Sequence, residues 1–363
     1  MKENRYSLSI ISKKHYLCNM FHLDVNRFIE EKSLFFQKDK ILVALSGGAD
    51  SVALLRVLLA LGYTCEAAHC NFHLRGKESD RDENFVRGLC NELNILLHVV
   101  HFDTQTYATK HRISIEMAAR EMRYEWFEKL RQECDASVIA VAHHRDDSVE
   151  TFLLNLIRGT GINGLKGIAP LNGHIVRPLL NVSRQDILQY LEHLHQDYVT
   201  DSTNLQDEYM RNKIRLNILP MLGELNPSVS ESIAETANRL AETSLVYNKE
   251  MAEAKNRVIK RNGNNLKAIH VERLLTEVAP ASLLFEILYP LGFKPLQIKD
   301  IFHSLSGQPG KRFISPEWEA VRDREYLLLQ TRTIESTTDP TPQLCIKTLD
   351  LSDDFIIPKE KDV

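Results

Sequence analysis

One stretch, KILVALSGGADSVALL at residues 40–55, limits the fold more than any other. An apolar run, Ile41 to Leu45, leads into Ser46-Gly47-Gly48-Ala49-Asp50-Ser51, after which the apolar spacing turns helical. That pattern is a strand, a tight turn and a helix. Glycines permit positive φ and close approach of another group to the backbone. The turn N–H groups and the helix N-terminus attract an anion, and Ser46 and Ser51 add hydroxyls. Asp50 is the odd member, because a carboxylate at an anion site makes sense if it holds Mg2+. The plain alternative is a glycine turn with Asp50 as helix cap. It explains a glycine or an acid, but not all six residues at a strand end. No GxxxxGK[ST] is present and no lysine lies in the turn, which suits a pyrophosphate that leaves better than transfer of a γ-phosphoryl group.

Three more strand candidates follow, at 64–70, 96–102 and 137–143. Helical patterns lie between them, at 51–61, 79–93 and 114–134, and another at 147–158 follows the last strand. Apolar strands alternating with helices predict an α/β fold with a doubly wound, mainly parallel sheet. Such sheets bind ligands at the carboxyl ends of their strands, which places the chemistry near 46–51, 69–75, 103 and 143–150. Residues 20–38 read as an amphipathic helix ahead of the first strand, and Ser183 with Asp186 as a capping box. A basic helix over 210–219 is expected to end at Pro220. From 228 to about 303 nearly everything reads as helix, predicting a smaller helical domain; 304–332 suggests a hairpin and 333–343 a linker.

At 363 residues the chain is too long for one ordinary domain. It lacks the run of about 18 apolar residues that a transmembrane helix needs. The first twenty residues are broken by charges and do not read as a signal peptide, so a cytoplasmic protein with no membrane partner is expected. The six cysteines form no CxxC, which predicts reduced thiols rather than a metal knuckle. A net charge of −4 requires any nucleic-acid surface to be a local patch.

Polar clusters fall where the sheet predicts them. AHHRDDSVETFLLNLIRGTGINGLKGIAP at 142–170 places His143 and His144 at the end of the fourth strand. Asp147 and Glu150, three apart on a helix, share a face. They could merely complement the helix dipole; as a site they make an anionic pocket suited to an ammonium group. In EMAAREMRYEWF at 116–127, Glu116, Arg120, Arg123 and Phe127 share one stripe. The arginines are either solvated ion pairs or ligands for phosphates. DSTNLQDEYMRNKIRLNILP at 201–220 carries Asn204, Tyr209, Arg211, Asn212 and Arg215. A basic face with amides and an aromatic suits a splayed-out base, though a solvated basic helix would look similar.

These stretches carry a resemblance. SGGADS after an apolar strand resembles the PP-loop of N-type ATP pyrophosphatases, which adenylate a carbonyl-type oxygen and release pyrophosphate. Residues 142–170, 116–127 and 201–220 resemble the signatures AHHxDDxxET…RGTGxxGLxGxxP, ExxARxxRYxxF and DSTNxxxxYxRNxIRxxxLP of tRNA(Ile)-lysidine synthetases. HCNFHLR at 69–75 is similar to a further family stretch but has Phe72 where many members carry His, which leaves the role of His73 open. The resemblance covers about 20–332 and is strongest over 41–220.

The resemblance implies ATP and Mg2+ as cofactors, and L-lysine and a CAU-anticodon tRNA(Ile) as substrates. ATP would adenylate C2 of the wobble cytidine, and the lysine ε-amine would displace AMP. Ser46, Gly47, Gly48, Ala49, Asp50 and Ser51 would hold ATP, with His69 near the adenosine and Asp50 on the metal. Arg120 or Arg123 would offset developing charge, His143 would serve as base, and Asp147 and Glu150 would orient lysine. Asn204, Tyr209, Arg211, Asn212 and Arg215 would hold the RNA. The implied division is an N-terminal extension at 1–19, expected to be disordered; a catalytic domain at 20–220; a mainly helical tRNA-contacting domain at 221–332; and, at 333–363, a linker and the start of a shortened C-terminal domain. A homodimer is allowed for. The rival readings are a tRNA thiolase, which normally shows paired cysteines, an amidotransferase-type synthetase and a non-catalytic nucleotide-binding module.

Overall fold

The structure, a computed structural model, describes residues 20–200, 206–261 and 266–332. It divides into two units at Glu242/Thr243.

The first unit is built on a six-stranded sheet of order β3-β2-β1-β4-β6-β5. The helix α1 (residues 20–31) precedes β1 (Lys40–Ala44). There follow α2 (Ala49–Ala60), β2 (Thr64–Asn71), α3 (Lys77–Glu92), β3 (Leu97–His101), α4 (Thr104–His111), α5 (Ile115–Glu133), β4 (Val138–Ala140) and α6 (Arg145–Arg158). A two-residue hairpin, β5 (Leu171–Asn172) and β6 (Ile175–Val176), closes the edge before α7 (Arg184–His193). β1 pairs in parallel with both β2 and β4, so the strand order reverses there. A ligand crevice belongs at that reversal, outside the carboxyl ends of β1 and β4. The predicted mainly parallel, doubly wound sheet is present, with β5–β6 its antiparallel pair. The short helix α4 and the β5–β6 hairpin escaped the sequence reading.

Burial explains the pattern. α2 is apolar nearly all round, and Val52, Ala53, Leu54, Leu55, Val57 and Leu58 are fully buried in the main core with Ile41, Val43 and Leu45. Phe21 of α1 stacks on Tyr190 of α7 with ring centroids 4.4 Å apart. The Ser183–Asp186 capping box is present: Ser183 Oγ accepts from Asp186 N at 3.1 Å and Asp186 Oδ2 accepts from Ser183 N at 2.9 Å. After α7 come α8 (Gln206–Lys213), a π turn (Ile214–Ile218), α9 (Leu219–Leu225) and the long α10 (Val229–Val258).

The helix expected to end at Pro220 does not end there. Pro220 sits in the first turn of α9, and the Leu219 N–H bonds back to Ile214 O across the π turn. Wider π bonding re-routes the ladder around the residue that lacks a donor.

In the second unit α11 (Val271–Thr276), α12 (Pro280–Leu288) and α13 (Pro295–Ser304) pack on a five-stranded antiparallel sheet, order β7-β8-β11-β10-β9. Its strands are β7 (Ile259–Arg261), β8 (Leu266–His270), β9 (Arg312–Ile314), β10 (Trp318–Arg322) and β11 (Tyr326–Thr331). β7 and β8 fall inside the stretch read as nearly all helix, which corrects that reading. Both are short, and β7 follows α10 without a break, so nothing in the apolar spacing separates them. The expected hairpin is β10–β11, with Ala320, Leu327 and Leu329 in the core of this unit.

Candidate active site

A cleft of about 340 Å³ opens at the carboxyl ends of β1, β2 and β4. Ser46, Gly48, Asp50 and Ser51 of the turn line one side; Arg120, Arg123, Tyr124 and Phe127 of α5, His143 and Asp147 line the rest with Phe72. Residues from Ser46 to Asp147 in the chain thus meet in one crevice.

The turn is held by its own hydroxyls. Ser51 Oγ accepts from Ser46 N and Gly47 N, both at 3.2 Å, and donates to Gly48 O at 2.9 Å. Gly48 N donates to Ser46 Oγ at 3.3 Å. These long bonds occupy the N–H groups that the sequence assigns to an anion; at such lengths they are weak enough to exchange for a charged acceptor. Gly47 has φ +94°, and a Cβ there would come within 3.3 Å of Val86, so the position requires glycine. Gly47 O accepts from Val199 N at 2.9 Å, which ties the turn to the segment entering the DSTN stretch. Ala49 is buried behind the turn.

His69 does not line the cleft. It is buried beneath the turn, joined through Nδ1 to Leu45 O at 2.8 Å, and burial lowers its pKa. It clips β1 to β2 rather than facing a nucleoside.

Asp50 forms an ion pair with Arg184 of α7. Asp146 accepts from Arg184 N at 2.9 Å and so holds that helix end in place. The buried His144 sets its Nε2 3.7 Å from Asp50 and 3.5 Å from Asp147, while its Nδ1 has no hydrogen-bond partner among the described residues. Neither Arg184 nor the central position of His144 was found by sequence reasoning; no local spacing marks them.

The two acids of α6 are not equivalent. Asp147 lines the cleft and accepts from His144 N at 2.9 Å. Glu150, one turn on, is fully buried and accepts from Arg215 Nε at 2.6 Å and Nη2 at 3.1 Å. Burial raises the Glu150 pKa, and Arg215 pulls it back. Arg215 stands on the π turn, 3.9 Å from Asp147, and so bridges the acidic helix to the basic one. π turns recur at functional sites because they re-aim side chains. Arg211 is exposed and its charge acts on His143, while Asn212 is half-buried on the same helix. Asn204 and the side chain of Tyr209 lie outside the described residues.

Arg123 lies over the Phe72 ring and Arg120 over Tyr124, with guanidinium-to-centroid distances of 5.0 and 4.9 Å. Arg177, also missed in the sequence, is buried; it donates to His143 Nδ1 at 3.1 Å and to Ala169 O at 2.7 Å. Burial, and then Arg177 and Arg120, push the His143 pKa down to about 4 against the pull of Asp147. His143 is therefore neutral near pH 7. Its Nδ1 lone pair is engaged, so the proton is on Nε2 and the ring presents a donor, not an acceptor.

The PP-loop domain model matches residues 19–222, and the TilS substrate-binding domain model matches 261–332. A tRNA(Ile)-lysidine synthase of Bacteroides thetaiotaomicron is 59% identical over 343 residues, covering 94% of this chain and 79% of that protein. The chain belongs to the tRNA(Ile)-lysidine synthase family. Another member, from Parabacteroides distasonis, is 49% identical over 84% of this chain and 68% of its own length. Among solved structures, the U34-tRNA thiolase NcsA of Methanococcus maripaludis matches with a TM-score of 0.54 and 20% identity, over 63% of this chain and 80% of that one. At that identity the likeness shows the fold alone. No helix of the described residues is long and apolar enough to cross a membrane.

Proposed function

We propose that this lysidine-synthase family member joins the ε-amine of L-lysine to C2 of the wobble cytidine in CAU-anticodon tRNA(Ile), with ATP split to AMP and pyrophosphate. The observation that carries the reading is the cleft itself, with a glycine turn on one wall, arginines on the next and the Asp147 carboxylate opposite. In the first step the base O2 attacks the α-phosphorus and pyrophosphate leaves. In the second, the amine nitrogen attacks C2, and the C2–O bond breaks as AMP departs with its oxygen. No covalent enzyme intermediate is needed, because the substrate amine is the nucleophile. Positioning and charge stabilisation supply the acceleration.

Turn N–H groups and the Ser46 and Ser51 hydroxyls take the phosphates. Arg120 and Arg123 offset the charge on base and phosphate, and the Nε2–H of His143 donates to the same developing charge. Asp147 meets the lysine ammonium, and Glu150 behind it fixes Arg215. Since His143 offers no free lone pair, the amine proton passes to a carboxylate, and Asp147 is the one in the cleft. Mg2+ chemistry suits a single carboxylate beside phosphates. Asp50 fits that donor set, and Arg184 neutralises it in the ligand-free site. Arg211, Arg215 and Asn212 contact the RNA, as does the unit beyond Glu242.

The thiolase reading has no support in the thiols. Cys70 lines the cleft, but burial pushes it, like Cys65, up to about 12, so neither is a ready nucleophile. The deciding experiment measures AMP and pyrophosphate release from ATP with lysine and an unmodified CAU-anticodon tRNA(Ile) transcript, against its wobble C-to-U mutant. Release that depends on both lysine and the cytidine is the expected result. Release indifferent to either one overturns the reading.

A further inference from the structure

A second cavity, of about 360 Å³, lies at the carboxyl ends of β2 and β3, beyond the arginine-lined cleft. Phe72 lines both, and is the wall between them. The Arg123 guanidinium covers Phe72 on the catalytic side, and Phe102 stacks on it with centroids 5.5 Å apart. His73 and His101 complete an aromatic lining. Their rings stack at 5.0 Å and 17°, and a hydrogen bond of 2.9 Å joins His101 Nδ1 to His73 Nε2. Asp103 and Gln105 stand at the mouth.

This cavity is built rather than incidental. His73 has φ +52°, a conformation that costs a side-chain-bearing residue energy and persists only where neighbours impose it. A chain of groups centred on the buried Asn71 and Glu83 does so. His73 N donates to Asn71 Oδ1 at 3.0 Å, Asn71 Nδ2 donates to Glu83 Oε2 at 2.9 Å, and Arg87 clamps Glu83 through Nε and Nη2 at 2.9 and 2.7 Å. Glu83 also lies 3.5 Å from His101 Nε2. Asp103 is fixed by Thr106, whose N–H and hydroxyl it accepts at 3.1 and 2.6 Å. Those bonds hold its pKa below the usual carboxylate range, so it is ionised and acceptor-only, with lone pairs to spare. Nothing in the proposed lysine-transfer chemistry uses this network.

We infer that this cavity receives the nucleobase next to the reactive cytidine in the RNA substrate. The inference rests on the lysidine-synthase reading, which puts the cytidine on the other side of Phe72. A base extruded from its stack drags its neighbours out of theirs, and an aromatic pocket one wall away gives a neighbour somewhere to stack. An acceptor-only carboxylate at the mouth selects a base with an exocyclic amino group. In a CAU anticodon the base following the wobble cytidine is adenine, which has one. His73, His101 and Gln105 supply further edge contacts.

The test uses the full chain with two tRNA(Ile) transcripts, one intact and one abasic at the middle anticodon position. Lysidine formation is measured for wild type and for the double variant His73→Ala/His101→Ala, whose positions are exposed and lie outside the catalytic cleft. The abasic transcript should lower kcat/KM for wild type by about tenfold or more, the scale of one lost stacked base. The double variant should lose a similar factor on the intact transcript and nothing further on the abasic one. Equal rates for variant and wild type on the intact transcript overturn the pocket while leaving the family reading in place. So do losses that multiply when combined. A wild type that forms no lysidine on the intact transcript overturns the reading and the pocket together. If the variant is poorly folded, the conservative His73→Asn/His101→Gln pair is used with the same criterion.

Discussion

Two walls of one cleft are built by opposite means. The glycine turn is local: Ser46, Gly47, Gly48 and Ser51 satisfy one another within five positions along the chain. The charged wall is assembled across the fold. Asp50 finds Arg184 at a separation of 134 residues, Glu150 finds Arg215 at 65, and His143 finds Arg177 at 34. A local device keeps its shape when distant parts change. A tertiary device sets the charge of its acids only while the whole unit is folded. Substitutions on the turn side should therefore be felt mainly in nucleotide chemistry, and those on the charged wall in stability and pH response.

The largest effect should come where the two walls meet, at Asp50. Asp50→Ala should lower pyrophosphate release by about 10²–10³-fold, the scale of one removed charge-stabilising group. Melting should change little, because Arg184 has a side chain 39% exposed and stays hydrated once its partner is gone. Steady-state release and a thermal melt check both halves. Unchanged turnover would remove Asp50 from the nucleotide chemistry.

Next is the Glu150–Arg215 pair, where the sides are unequal. The Glu150 side chain is 2% exposed and that of Arg215 51%. Arg215→Ala strands a buried carboxylate and should cost about 3 kcal/mol, whereas Glu150→Gln leaves only a half-exposed cation and should cost about 1 kcal/mol or less. The double change Glu150→Leu/Arg215→Met should recover most of the stability and none of the lysine transfer. Urea denaturation of the three variants orders them. Equal costs for the two single changes would mean that burial is not what governs the pair.

Acid titrates the same wall. The His143 pKa stands at about 4 against its ordinary 6.5, so the native state binds fewer protons than the unfolded one between those values. Stability is full above about pH 6.5 and falls as pH drops toward 4. The loss is at most about 3 kcal/mol, since each tenfold change in proton affinity is worth about 1.4 kcal/mol. Arg177→Met removes one of the charges opposing the imidazolium, and should move the His143 titration upward in an NMR pH series. A titration that stays near 4 would leave burial, with the charges of Arg120 and Arg211, as the cause.

The same contrast accounts for what could be read in the sequence. The strand–turn–helix of SGGADS, the Ser183–Asp186 box and the apolar strands were legible because each depends on neighbours in the chain. His143 and Asp147 were found because they follow the end of a predicted strand, whereas Arg120 and Arg123 stood out through a shared helical stripe and the family resemblance. Arg184 and Arg177 were not found, since a guanidinium paired across the fold looks in sequence like any surface cation. Glu150 was read as a free carboxylate beside Asp147, because spacing fixes the face of a helix but not what packs on it. The π turn was invisible for a related reason: proline marks a break in α bonding, and only the structure shows that wider bonding carries the helix through.

The smallest effect sharpens the comparison most, because it asks whether the turn really is self-contained. Ser51→Ala removes the acceptor shared by Ser46 N and Gly47 N. Gly47 N is buried, and an unsatisfied buried donor costs about 1–3 kcal/mol; the length of these bonds puts the expected loss near the lower end. If the turn N–H groups exchange their serine for phosphate when nucleotide binds, saturating ATP restores their acceptors. The stability gap between Ser51→Ala and wild type should then narrow as ATP is added, because the variant has no serine bonds to give up and so binds ATP the more tightly. Thermal melts of both proteins across an ATP series read this directly. A gap that stays constant at saturation would mean that the N–H groups never leave the serine, and that nucleotide is held by side chains alone. The turn would then be a rigid support for the charged wall rather than its counterpart.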